Sequence, residues 1–136
     1  MNHQKQLDQF VRDLFTSLEQ YTSFGLKGSC ITETDQYLLG KIEEQTGGAS
    51  IELWSEDNQI TLFYSQSHWH CPSHEPFRAT DLRSVEDTCQ EVKQDVMAIL
   101  SGSLVTYSVW QGEQALGSGN EHGTVEDAIQ SGTKRV

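Results

Sequence analysis

The chain has 136 residues and a mass of 15.3 kDa, the size of one domain, which on folding buries roughly two-thirds of its unfolded surface and needs no disulfide or metal staple. Nine Lys and Arg stand against twenty Asp and Glu, a formal net charge of −11; such a chain repels nucleic acid and anionic membranes, which are bound through basic groups, and attracts basic partners. The apolar fraction of 35% fits two thin layers better than a thick core.

The first element is a helix over residues 4–22. Leu7, Phe10, Val11, Leu14, Phe15, Leu18 and Tyr21 recur at three- and four-residue steps, which makes one apolar stripe that something must cover. Gly25 and Gly28 end it in a loop. Three strands follow. The first, over 37–44, is weakened by Gly40, and Gly47 and Gly48 then mark a turn. The other two, 49–55 and 60–67, form a hairpin closed at Asp57-Asn58. A two-residue turn there pairs Ser55 with Ile60, Leu53 with Leu62 and Ile51 with Tyr64. It sets Trp54 against Thr61 and Glu52 against Phe63 on the other face.

Residues 68–80 hold both prolines and read as irregular. A second helix is expected over 81–101, with Val85, Cys89, Val92, Val96, Ile99 and Leu100 as its stripe. Thr80, or Ser84 with Asp87, is placed to cap its start and Gly102 its end. Residues 104–110 and 113–118 make a second hairpin around Gln111-Gly112, with Tyr107 opposite Leu116. Residues 119–136 read as a loosely packed tail with a short helix at 124–131, capped by Thr124. These elements assemble into one domain, 1–136, of the α+β class. It has two layers: a mainly antiparallel sheet of about five strands, and two helices packed on one face.

Three cysteines, Cys30, Cys71 and Cys89, are widely spaced with no CxxC pair, so no disulfide framework is expected. Residues 1–9 lack the apolar core of a signal peptide, and no stretch approaches a membrane span. The expected location is cytoplasmic.

The metal-type ligands cluster in 68–75. His68 and His70, two apart on a strand, share a side; His74 or Cys71 would supply a third position for zinc, with Glu75 as base. The spacing matches no structural zinc pattern, and local packing of the histidines is the plainer account, so no cofactor is expected. Cys71 beside His70 and His74 also invites a thiolate–imidazole pair, but no third residue orients it. There is no GxSxG and no phosphate-cradling glycine loop. The chain therefore reads as non-enzymatic. Between Glu43 and Asp57 lie five acids and no base. Aromatics ringed by carboxylates suit a basic protein partner; the candidate contacts are Glu52, Trp54, Glu56, Asp57, Phe63 and Trp69.

The run Ile51-Glu-Leu-Trp-Ser-Glu-Asp-Asn-Gln-Ile-Thr-Leu-Phe-Tyr64, followed by Ser67-His68-Trp69-His70, resembles small immunity proteins of bacterial polymorphic-toxin systems. The likeness covers the layout of residues 49–118, with Cys71 where an aromatic is expected. It implies an inhibitor that neutralises one cognate, basic toxin domain. The competing expectations are a metal-binding protein or small metalloenzyme using His68, His70 and His74, and a homodimer that buries the open sheet face.

Overall fold

The computed structural model describes residues 3–18, 26–44, 50–65, 67–73, 75, 77–122 and 134–135. Helix α1, Gln4–Leu18, buries Leu7, Val11, Leu14, Phe15 and Leu18, the stripe expected from their spacing. The remainder of that expected helix, 19–22, lies outside the described residues. Helix α2, Leu82–Leu100, buries Val85, Thr88, Val92, Asp95, Val96 and Ile99. Its start is capped by Asp81, whose carboxylate accepts from the Ser84 N–H at 2.8 Å; the Asp81 N–H donates back to Ser84 Oγ at 2.9 Å. This reciprocal box replaces the caps expected at Thr80 and at Ser84 with Asp87. Its end is closed as expected by Gly102, at φ +79, whose N–H donates to the Ile99 carbonyl.

Five strands form an antiparallel meander: β1 Leu26–Glu33, β2 Leu38–Glu44, β3 Ile51–Glu56, β4 Gln59–Tyr64 and β5 Ser67–Cys71, side by side in that order. The β3–β4 register is the expected one at every pair, from Ile51↔Tyr64 to Ser55↔Ile60. Asp57 and Asn58 take φ 54 and φ 59, the paired left-handed conformation of a tight hairpin turn. Leu38, Ile42, Ile51, Leu53, Ile60, Leu62 and Cys71 point to the helices and are buried with the helical stripes. Each fully buried Leu or Ile there stabilises the fold by roughly 1.5–3 kcal/mol relative to exposure. Gly40 is a packing requirement: a Cβ at this position would clash with Cζ and Cε2 of the Phe15 ring.

The α+β class, the five-stranded antiparallel sheet and the helical layer on one face are as expected. The membership of the sheet is not. All five strands come from residues 26–71. β1 covers residues read as a glycine loop, and β5 covers residues read as irregular. In β5 the buried positions are Ser67 and Cys71 while two histidines face out, so its alternation lacks the usual apolar contrast. The second hairpin stands apart, as β6 Leu104–Gln111 and β7 Gln114–His122, joined by β8 Lys134–Arg135 in a three-stranded sheet of order β7-β6-β8. Its turn is Gly112-Glu113, one residue later than expected, and this shift together with a bulge after Val109 places Tyr107 opposite Gly119 rather than Leu116. Part of the expected tail is thus strand; the helix expected at 124–131, like the Gly47-Gly48 turn, lies outside the described residues. This sheet meets the first at β5 and meets α2 through β6.

Polar contacts join the layers. Gln4 Nε2 donates to the buried Ser55 Oγ at 2.7 Å, and Gln4 Oε1 accepts from the Asn58 N–H at 2.6 Å. Helix α1 is thereby fastened to the β3–β4 turn. Beyond that turn the Ala79 N–H donates to the Asn58 carbonyl, which holds the link into α2.

Candidate functional site

Strand alternation assigns the face turned away from the helices. Leu39, Lys41 and Glu43 come from β2, Glu52, Trp54 and Glu56 from β3, Thr61 and Phe63 from β4, and His68 and His70 from β5. Their rings meet in one row. Tyr37 lies 4.9 Å from Trp54, Trp54 6.2 Å from Phe63, Phe63 5.1 Å from His68, and His68 5.9 Å from His70, all between ring centroids. Phe63 and His68 are stacked at 22°, while Trp54 meets Phe63 edge-on at 64°. Both are favoured aromatic geometries. Tyr37, Trp54 and Phe63 are half-buried, and the two histidines are exposed. Trp54 Nε1 is sealed from solvent and has no hydrogen-bond partner among the described residues.

Of the candidate contacts, Glu52, Trp54 and Phe63 are together on this face, and Glu56 is exposed at the end of β3. Asp57 sits in the turn, and its Oδ2 accepts from Arg78 Nε at 3.0 Å and Nη2 at 2.7 Å, so its charge already has a counterion. Trp69 is elsewhere. It belongs to the helix-facing side of β5, and its Nε1 donates to Asp95 Oδ2 of α2 at 2.8 Å. Sequence reasoning missed Tyr37 and the place of the histidines in the row. Extending the β4 register through a fifth strand would have found the latter, because it sets His68 opposite Phe63 and His70 opposite Thr61.

The histidines share the open face, and His70 Nδ1 is 2.9 Å from Thr61 Oγ1. Cys71 points the other way, into the core. Burial, reinforced by the nearby charges of Glu91 and Asp95, pushes its thiol far up, and its position across the sheet separates it from the two histidines. Cys89 is half-buried, and burial pushes its thiol up to about 11 against an opposing backbone hydrogen bond, with the charge of Glu86 adding least. His74 lies outside the described residues. Among the described residues, no three His, Cys, Asp or Glu side chains are grouped to hold a metal ion.

At one end of the open face is a shallow depression of about 320 Å³, lined by Ser50, Glu52, Phe63, Tyr64 and Ser65. Lys41, directly across from Glu52 on β2, is ion-paired with Glu43 at 3.4 Å. Glu52 has no ion pair or hydrogen bond among the described residues.

Among the described residues, no helix is long and apolar enough to cross a membrane. No family model matches the chain, and no curated protein or solved structure matches it either.

Proposed function

We propose that the protein is a non-enzymatic binding module that takes a basic protein partner on its open sheet face. The row of rings from Tyr37 to His70, flanked by Glu52 and Glu56 on a face that neither helix covers, carries this reading. Half-buried aromatics are the usual anchors of an interface, and carboxylates beside them steer a basic partner and set the salt dependence of its capture. The specific form we favour is an immunity-type inhibitor of a bacterial toxin, acting in the cytoplasm. The free thiols of Cys71 and Cys89 suit a reducing compartment.

The test is capture from native lysate at low and high salt, run in parallel with Trp54→Ala, Glu52→Lys and Trp69→Phe. The expected result is one basic protein, recovered near stoichiometry at low salt. It should be lost with the first two variants and retained by the third, whose indole belongs to the helix side. Capture indifferent to Trp54→Ala and Glu52→Lys, or no basic protein at low salt, removes the proposal. A second reading, zinc binding, is favoured by the adjacent rings of His68 and His70. Equilibrium dialysis of zinc against the protein and its His70→Ala variant tests it, and equal uptake by the two dismisses it. Self-association through the same face would appear as a concentration-dependent mass in sedimentation.

A further inference from the structure

The depression at the end of the open face has a chemistry of its own. Its lining includes the cross-strand pair Glu52↔Phe63, so a carboxylate and a phenyl ring stand side by side. Glu52 is half-buried and unpaired among the described residues. A carboxylate drawn partly out of water is stabilised when a cation and its N–H donors reach it. The cation directly across from Glu52, Lys41, is engaged with Glu43. The ring of Phe63 is packed on His68 on one side and borders the depression. The hydroxyl residues Ser50, Tyr64 and Ser65 complete the lining. A volume of about 320 Å³ is at the small end of the roughly 300–1,000 Å³ typical of ligand sites, right for one side chain and small for a substrate.

We infer that this depression seats one guanidinium group, an arginine side chain of the basic partner. The carboxylate of Glu52 would accept its N–H donors, and its plane would lie against Phe63. Guanidinium is favoured over ammonium because it is planar, forks onto a carboxylate and stacks on rings, and is less strongly hydrated. The inference rests on the protein-binding reading and names the contact that selects the partner.

The experiment is an amide NMR titration of the full chain with N-acetyl-arginine amide, its lysine analogue and its citrulline analogue, which is isosteric with arginine and uncharged. Arginine should give saturable shifts at residues 50–52 and 63–65, with a dissociation constant on the order of millimolar for so few contacts. Citrulline should give none, and lysine weaker ones. Glu52→Gln should weaken arginine binding about tenfold while the rest of the spectrum keeps its dispersion, and Phe63→Leu should weaken it with Glu52 intact. Equal shifts with citrulline, equal affinity for lysine, no saturation with arginine, or an unaffected Glu52→Gln variant overturns the assignment. A captured basic partner that survives Glu52→Gln would remove the arginine seat and leave the protein-binding reading standing. Arginine binding with no captured partner would do the reverse.

Discussion

The indole N–H of Trp69 donates to the carboxylate of Asp95 at 2.8 Å, tying β5 to the buried side of α2. Asp95 is buried and Trp69 half-buried, so breaking the bond leaves a polar group drawn from water with one partner fewer. Asp95→Ala and Trp69→Phe should each lower stability by about 1–3 kcal/mol, with the double variant costing less than their sum. Urea denaturation of the three variants measures this. Strict additivity would show that the bond contributes nothing of its own.

Gly40→Ala brings a methyl group into collision with the tip of the Phe15 ring. Overpacking of this kind typically costs about 1–3 kcal/mol. Adding Phe15→Leu to Gly40→Ala should recover part of the loss, although Phe15→Leu alone destabilises. A double variant no better than the sum of its parts would mean that Gly40 is needed for another reason.

The β3–β4 turn holds Asp57 and Asn58 at positive φ. Asn58→Gly should be neutral or slightly stabilising, since glycine meets no Cβ penalty in this conformation. Asn58→Val should cost about 1–2 kcal/mol. Thermal unfolding of the two variants separates them, and equal melting points would argue against the left-handed turn.

The carboxyl of Asp81 is held below its ordinary value by hydrogen bonds from the Ser84 backbone and side chain, with smaller help from the charges of His3 and Arg83 and a small opposing desolvation. A folded-state value below the unfolded one means a contribution that is complete above the unfolded value. It is lost as pH falls through the folded one. The melting temperature of Asp81→Ala should therefore lie below that of the parent at neutral pH, and the gap should close in acid. A gap independent of pH would assign the effect to something other than this carboxylate.

Cys71 is buried beside Glu91 and Asp95, and Cys89 is half-buried with its thiol pushed up to about 11. Both are thiols at neutral pH and should resist iodoacetamide in the native protein, Cys71 more than Cys89, and both should react fully in urea. Peptide mass mapping reads each site separately. Rapid native alkylation of Cys71 would contradict its burial.

What the residues dictated locally could be read without coordinates. The hairpin from Ile51 to Tyr64 has one register that puts its aliphatic residues on one face, and a turn dipeptide that closes it. The two helices have apolar stripes that no other period fits. Glu52, Trp54 and Phe63 share a face for the same reason. Other features depended on contacts between distant segments. Gly40 weakens β2 as a local signal, yet it makes room for Phe15 of α1. Ser67-His68-Trp69-His70-Cys71 alternates too weakly and too briefly to announce a strand; hydrogen bonding to β4 makes it one. That pairing turns Trp69 and Cys71 inward and brings His68 against Phe63. The second hairpin forms from local signals, but whether it extends the first sheet or stands beside it is decided by which strand edges meet. β5 pairs with β4 on one side, while β6 pairs with β7 and β8. Short-range patterning thus settles each element and its faces, because side-chain period is a property of the backbone. Which elements lie against those faces is a matter of packing over long sequence separations, and only the folded chain determines it.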